Sequence, residues 1–251
     1  MAGEHKSTER MQFTYDSYLN NLILLKDAGY TTVRFQDARG TDGPIAILRH
    51  DIDISPRKAL AMAELEHAHG YRTTYFVMIS SSFYNPMERV NEESILRIAA
   101  LGHEIGLHFD ITKYPEVVGH ALEEAVSREL RLLSELVGTP IRSLSWHIPR
   151  EDFLGIHWGF LEEKDVLNAY DPEFFRGYKY CSDSMMRWRD PLVDCIDCVR
   201  YPKLQVLTHP VWYKKMQNQS DLEIMNEVYR DKQATNIEYL ERCRPGFKEM
   251  L

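Results

Sequence analysis

Apolar and polar positions along this chain repeat with two periods, one near 3.6 residues and one near 2. Residues 15–28 carry Tyr18, Leu19, Leu22, Leu24 and Leu25 at helical spacing. That predicts an amphipathic helix with Leu22, Leu24 and Leu25 in the core, stopped by Gly29. Residues 31–35 are a short β-prone run. The apolar stretch 44–48 continues into Arg49-His50-Asp51-Ile52-Asp53 and, lying between Gly43 and Pro56, predicts a buried strand. Pro56 opens a second helix with Leu60, Ala63, Leu65 and Ala68 on one face before Gly70. Strand character returns at 73–79.

The alternation persists to the end of the chain. Asn91 is placed to cap a helix reaching Ala100, with Gly102 closing it, and 104–109 reads as a strand. A long helix is expected over 116–137, stopped by Gly138 and Pro140. Strands follow at 141–146, 178–181 and 203–208, with a short helix at 151–160 and a closing helix at 221–242. Strands alternating with helices imply parallel strands joined by right-handed crossovers. No repeat, low-complexity tract or linker divides the chain. The expected organisation is a polar N-terminal tail, 1–14, and a single domain, 15–251.

Composition narrows the picture. With 251 residues, 44% hydrophobic and 27% charged, the chain suits one α/β barrel with a large core. A formal net charge of -8 argues against nucleic acid or an anionic membrane as the main partner. The first ten residues contain no apolar signal core, and no apolar run nears the roughly 18 residues that a membrane span needs. Cytoplasm is the expected compartment. Four cysteines are too few for a disulfide scaffold, and Cys195-Ile196-Asp197-Cys198 has no second pair to complete a metal site.

Candidate chemistry sits at strand ends, where parallel α/β folds collect it. Arg49, Asp51 and Asp53 share one side of their strand because alternate residues face the same way. Two carboxylates so close repel each other unless a shared proton or a cation relieves them, and a divalent metal would do so. His108 ends Gly102-His103-Glu104-Ile105-Gly106-Leu107-His108, His147 ends Ser145-Trp146-His147, and His209 follows Leu207-Thr208. Three histidines at the same end of their strands, joined by an Asp-x-Asp, are the ligand chemistry of zinc and similar ions.

With these motifs the chain resembles the polysaccharide deacetylase superfamily, the NodB-homology enzymes of carbohydrate esterase family 4. Within it the chain is similar to the subgroup written Arg-His-Asp-x-Asp and Gly-His-Glu-Ile-Gly-Leu-His, often found among surface-polysaccharide biosynthesis proteins. The resemblance spans about residues 15–215. It implies an incomplete, distorted (β/α)7 barrel of the glycoside hydrolase/deacetylase type, with a divalent metal, usually zinc, at its open end.

By that resemblance Asp51 takes the place of the general base, Asp53 and His108 those of metal ligands, and His209 that of the general acid. Asp183, in Tyr180-Cys181-Ser182-Asp183-Ser184, would orient a catalytic partner. The family's second motif histidine would fall where this chain has Thr112, so His147 is the candidate third ligand, ahead of Asp110. Arg150 or Arg49 would hold the base aspartate. Trp146, Trp188, Trp212 and Tyr213 offer apolar surface for a sugar ring. His103 and Glu104, at the start of their strand, are read as structural.

The activity so implied is metal-dependent N-deacetylation of an acetylated amino sugar, a nucleotide- or lipid-linked precursor of a surface glycan. Two other readings stay open. One is hydrolysis of another C–N bond, in a cyclic imide or ureide, on the same scaffold; the other is a metal-free homologue that only binds a glycan or a partner. A small-molecule or glycan substrate is the expected partner, with neither nucleic acid nor a membrane span, and a homo-oligomer is left open.

Overall fold

The computed structural model describes residues 13–216 and 219–251. Of the expected tail, residues 1–12 lie outside them; Phe13 is buried and Thr14 caps the first helix through the Ser17 backbone N–H. In chain order the elements are α1 (Tyr15–Asp27), β1 (Thr31–Val33), β2 (Ile45–Ile52), α2 (Pro56–Ala68), β3 (Thr74–Val77), α3 (Arg89–Ala100), β4 (Glu104–Asp110), α4 (Gly119–Val137) and β5 (Ser143–His147). They continue with α5 (Gly159–Glu163), β6 (Leu167–Asn168), α6 (Pro172–Gly177), β7 (Lys179–Ser182), α7 (Leu192–Cys195), β8 (Lys203–Thr208) and α8 (Asp221–Cys243).

Every strand pairing is parallel. Seven strands follow the path β6-β5-β4-β3-β2-β8-β7, and β1 adds to the first half of β2, where β3 has not yet begun. The sheet curls into an incomplete (β/α) barrel, open between β6 and β7. Side chains tie that seam: Gln205 Nε2, from β8, donates to the carbonyls of Ala169 (3.1 Å) and Phe174 (3.4 Å). All eight residues of β2 are buried, as a central strand covered on both faces requires.

Alternation sorts the strands' side chains into two layers. Inside lie Arg49, Asp51, Phe76, His108, Ser145, His147 and Gln205. Phe35, Phe76 and Phe174 meet edge to face and plug the lower end, each worth roughly 2–3 kcal/mol of burial. Gly106 faces this interior, where an added Cβ would lie 2.5 Å from the Phe76 ring and 2.6 Å from Ser143 Oγ. Only glycine fits.

Outside, between β2, β3 and α2, sits a buried polar knot around Glu66. Its carboxylate accepts from Tyr18 Oη, Tyr75 Oη (2.7 Å) and Thr73 Oγ1 (2.8 Å), and pairs with His50 Nε2 at 2.8 Å. His50 Nδ1 meets Thr208 Oγ1 of β8 at 2.6 Å. His103 takes the Thr73 N–H on Nδ1 and faces the Ala63 carbonyl with Nε2. Glu104 accepts from Thr74 Oγ1 and the Gln36 N–H at the barrel's lower end. Both are framework groups.

The structure departs from expectation in a few places. Leu22 and Leu25 are core, but Leu24 is 42% exposed, because it lies about 100° round the helix from Leu25 and about 160° from Leu22. The helix expected from Asn91 begins at Arg89, and Asn91 Nδ2 instead donates to the Asn85 carbonyl. Over 151–160 the chain makes a 3-10 turn (Glu151–Phe153) and a left-handed Gly155; α5 starts only at Gly159. Phe153 and Trp158, packed on Trp146, pin that segment where a continuous helix would separate them. All four cysteines are free. No helix among the described residues is long and apolar enough to cross a membrane.

Candidate active site

The upper end of the barrel gathers the polar residues that close its strands. Asp53 follows β2, in the bend before Ser55 caps α2. Its Oδ1 lies 3.1 Å from His108 Nε2 and 3.3 Å from His147 Nδ1, and those two nitrogens are 3.1 Å apart. Asp53 Oδ1 is buried and makes no hydrogen bond. Three ligand atoms of a tetrahedral zinc site, with bonds of about 2.0–2.1 Å, stand about 3.3 Å from one another. The triangle therefore fits one divalent ion. His108 Nδ1 faces the Ser145 carbonyl at 3.3 Å, which leaves Nε2 to face the triangle.

Thr112 takes no part. Its backbone N–H and hydroxyl both go to Asp110 Oδ1 (2.9 and 2.6 Å), occupying the carboxylate that was the alternative candidate. His147, from the neighbouring strand, stands at the corner where a third ligand would be needed. Asp110 and His147 are register partners on β4 and β5, so crossing one strand replaces one turn of chain beyond His108.

Asp51 lies deeper, 4% exposed, with Oδ2 3.6 Å from His108 Nε2. Arg49, wholly buried, forks onto it: Nη2 to Oδ2 at 2.7 Å and Nε to Oδ1 at 3.3 Å. The same guanidinium donates to Gln205 Oε1 (2.9 Å) and Ser145 Oγ (2.6 Å) and stacks between Phe76 and Tyr170. Burial would raise the Asp51 carboxyl, but Arg49 and then His108 outweigh it and hold it below the usual range. Asp53 is likewise lowered against its own desolvation, by His108, His147 and His209. Both are carboxylates at neutral pH.

His209 completes the set. Its Nε2 lies 3.7 Å from Asp53 Oδ2, while Nδ1 is held at 2.6 Å by Asp183, a fully buried carboxylate that also accepts the His209 backbone N–H. Burial alone would lower this imidazole; Asp183, then Asp53 and Asp51, push it up to about 9. It therefore carries a proton at neutral pH. His147 is also raised, Asp53 outweighing desolvation.

Two expectations need correction. Arg150 does not hold the base: it forks onto Asp152 (3.0 Å) and donates to the Pro115 carbonyl, and Arg49 holds Asp51 instead. Nor do the tryptophans offer a face to a sugar. Trp146 is 1% exposed because alternation on β5 sends it outward when Ser145 and His147 point in; Trp188 and Trp212 are buried in the cluster beneath α1. Gln205 and Ser145, absent from the sequence reading, brace Arg49. Ser145 lies two positions before His147 and Gln205 four before His209, and that even spacing was the available signal.

No family model matches the chain, and no curated protein does. Among solved structures the chain is similar to the Streptococcus pyogenes deacetylase PplD in complex with acetate: 9% identity, TM-score 0.47, covering 90% of this chain and 92% of that one. It is similar to the chitin deacetylase of Colletotrichum lindemuthianum at 15% identity and TM-score 0.45, covering 76% and 84%. It is also similar to a CE4 family pseudoenzyme from Bacillus anthracis at 12% identity and TM-score 0.44, covering 77% of this chain and 62% of that one. At such identities and scores these likenesses decide nothing about chemistry, which rests on the side chains of this chain.

Proposed function

We propose that this chain is a metal-dependent hydrolase that removes the acetyl group from an acetylated amino sugar. The observation that carries the reading is the convergence, on one barrel mouth, of a three-donor ligand set, an arginine-held carboxylate and a carboxylate-held imidazole. Asp53, His108 and His147 would hold the ion. A divalent metal bound there supplies Lewis-acid polarisation of an acyl oxygen and acidifies water.

The chain's own groups then divide the proton work. Asp51, kept ionised by Arg49, accepts a proton from the attacking water at the carboxylate oxygen facing His108. His209, charged through Asp183, delivers a proton from Nε2 to the departing nitrogen. The C–N bond breaks, a C–O bond to the water oxygen forms, and the products are acetate and a free amine. Each positioned proton transfer is typically worth about 10²–10⁴-fold in rate. Asp51 stands 3.6 Å from His108 and His209 3.7 Å from Asp53, which supports a shared role at one acyl carbon.

The assay is acetate release from a panel of N-acetylated amino sugars with zinc or cobalt added, beside an Asp51→Asn control. Release that the control loses by at least 10²-fold supports the reading. Release no greater than the control's, across the panel, overturns it. A ring-opened acid formed from a cyclic imide, with no acetate from any sugar, would transfer the same residues to that other C–N bond.

A further inference from the structure

The ladder between β2 and β3 ends at the pair Ile52↔Val77, one residue before Asp53. There a side chain from the loop beyond β3 joins the two strands. Tyr84 Oη accepts the Met78 N–H at 2.9 Å and donates to the Ile52 carbonyl at 2.9 Å. The next bond of a parallel ladder would run between those same two groups. Tyr84 is 5% exposed, its ring belongs to the main core, and Ile52 and Met78 are buried beside it. Without the hydroxyl, that carbonyl and N–H would have no ready partner. Burial pushes the phenol well above its usual range, so Oη keeps its proton and stays a donor.

The loop that carries Tyr84 is braced. Ser81 Oγ accepts the N–H groups of Phe83 (3.1 Å) and Tyr84 (3.2 Å), and Asn85 Oδ1 accepts that of Met87 (3.0 Å). On the far side of Asp53, Ser55 caps α2 by accepting the Lys58 N–H. Asp53 thus occupies a bend whose entry is held by Tyr84 and whose exit is held by Ser55. Its Oδ1 faces His108 and His147 but makes no hydrogen bond of its own. The backbone on either side is what aims it.

We propose that Tyr84 is a positioning residue for the ion site: its hydroxyl fixes the end of β2 so that Asp53 meets His108 and His147. The proposal rests on the ion-binding part of the reading above. Both bonds of Oη go to backbone, so Tyr84 touches no reacting atom. Phenylalanine keeps the ring and its packing and loses only the bridge.

Zinc affinity of the full chain, measured by competition with a chromogenic chelator, tests it. Tyr84→Phe should weaken zinc binding about tenfold, the low end of what groups behind a metal ligand contribute. Tyr75→Phe is the matched comparison. It deletes a buried phenol hydroxyl from the same pair of strands, but on the outer face, where Tyr75 meets Glu66. That variant should melt lower and bind zinc as wild type does. Unchanged affinity in Tyr84→Phe would overturn the proposal. An equal loss in Tyr75→Phe would do so too, since a merely structural role weakens both alike.

Hydrogen exchange of the unaltered chain is the second measurement, and it does not depend on how either variant folds. Zinc should slow exchange at the Met78 amide more than in β1, which pairs with the opposite end of β2. Equal slowing at both, or none at Met78, would overturn the proposal. Zinc bound equally by wild type and Tyr84→Phe would leave the deacetylase reading intact. The expected difference in affinity, with no acetate released from any sugar, would sink that reading and leave the role of Tyr84 standing. No zinc bound by wild type would end both.

Discussion

Arg49 shows how one side chain can set the state of a pocket. A guanidinium with no exposed surface, forked onto Asp51 and sandwiched between two rings, cannot be exchanged for another cation. Lysine keeps the charge but offers no planar fork, so Arg49→Lys leaves Gln205, Ser145 and one Asp51 oxygen short of donors. Breaking a buried pair in this way costs about 3–5 kcal/mol, which a urea melt would read directly. Asp183 acts on His209 in the parallel way. Asp183→Asn should lower kcat by about 10²–10⁴-fold, since an amide neither fixes the tautomer nor favours the charged ring. Zinc content by elemental analysis should stay unchanged, because Asp183 meets the proposed ligand triangle through His209.

Elements carry these residues, and their packing leaves little tolerance. Gly106→Ala would drive a methyl group into Phe76, on which Arg49 stacks; overpacking of this kind costs about 1–3 kcal/mol, and the loss should appear in both Tm and turnover. The Glu66 knot tying β2, β3 and α2 makes stability fall in acid. Burial opposes the Glu66 charge, but His50 and then His103 outweigh it and hold the carboxyl down to about 2, against 4.5 when exposed. Its contribution, about 3 kcal/mol, is full above pH 4.5 and is lost as pH falls toward 2. Burial also lowers His103, so the unfolded chain binds a proton that the folded one refuses, with the same sign. Glu66→Gln should flatten the melting temperature between pH 4.5 and 2, measured against wild type.

Strands this strongly patterned were legible. β8 has the expected limits, and a period of 2 put Asp51 and Asp53 on one face before any coordinates did. Two-residue β6 shows no period at all, and the aromatic anchors Phe153 and Trp158 overrode helical propensity. α6 was not expected, although Asp171 caps it and Pro172 opens it. Which arginine reaches Asp51 was not legible, because it depends on how far the sheet curls. Trp146 was misread as a sugar platform, although its neighbours His147 and Ser145 already claimed the inner face.

At the scale of the whole molecule, ion binding should be visible without any substrate. A site present only in the folded chain stabilises it by about 2.7 kcal/mol when zinc stands at a hundred times its Kd. For a chain of this size that is about 5–10 °C in Tm, reversed by a chelator and abolished in His147→Ala. An unchanged Tm in wild type would remove the ion from the account. The seam between β6 and β7 has its own consequence. Among the described residues no backbone ladder spans it; Gln205 and, through Tyr170 at 3.4 Å, Arg49 reach across. The girth of the barrel is therefore fixed by a hoop of side chains, and the arginine that readies the base is part of it. Amides of β6 and α6 should exchange with deuterium earliest among the inner elements, and earlier still once Arg49 is replaced.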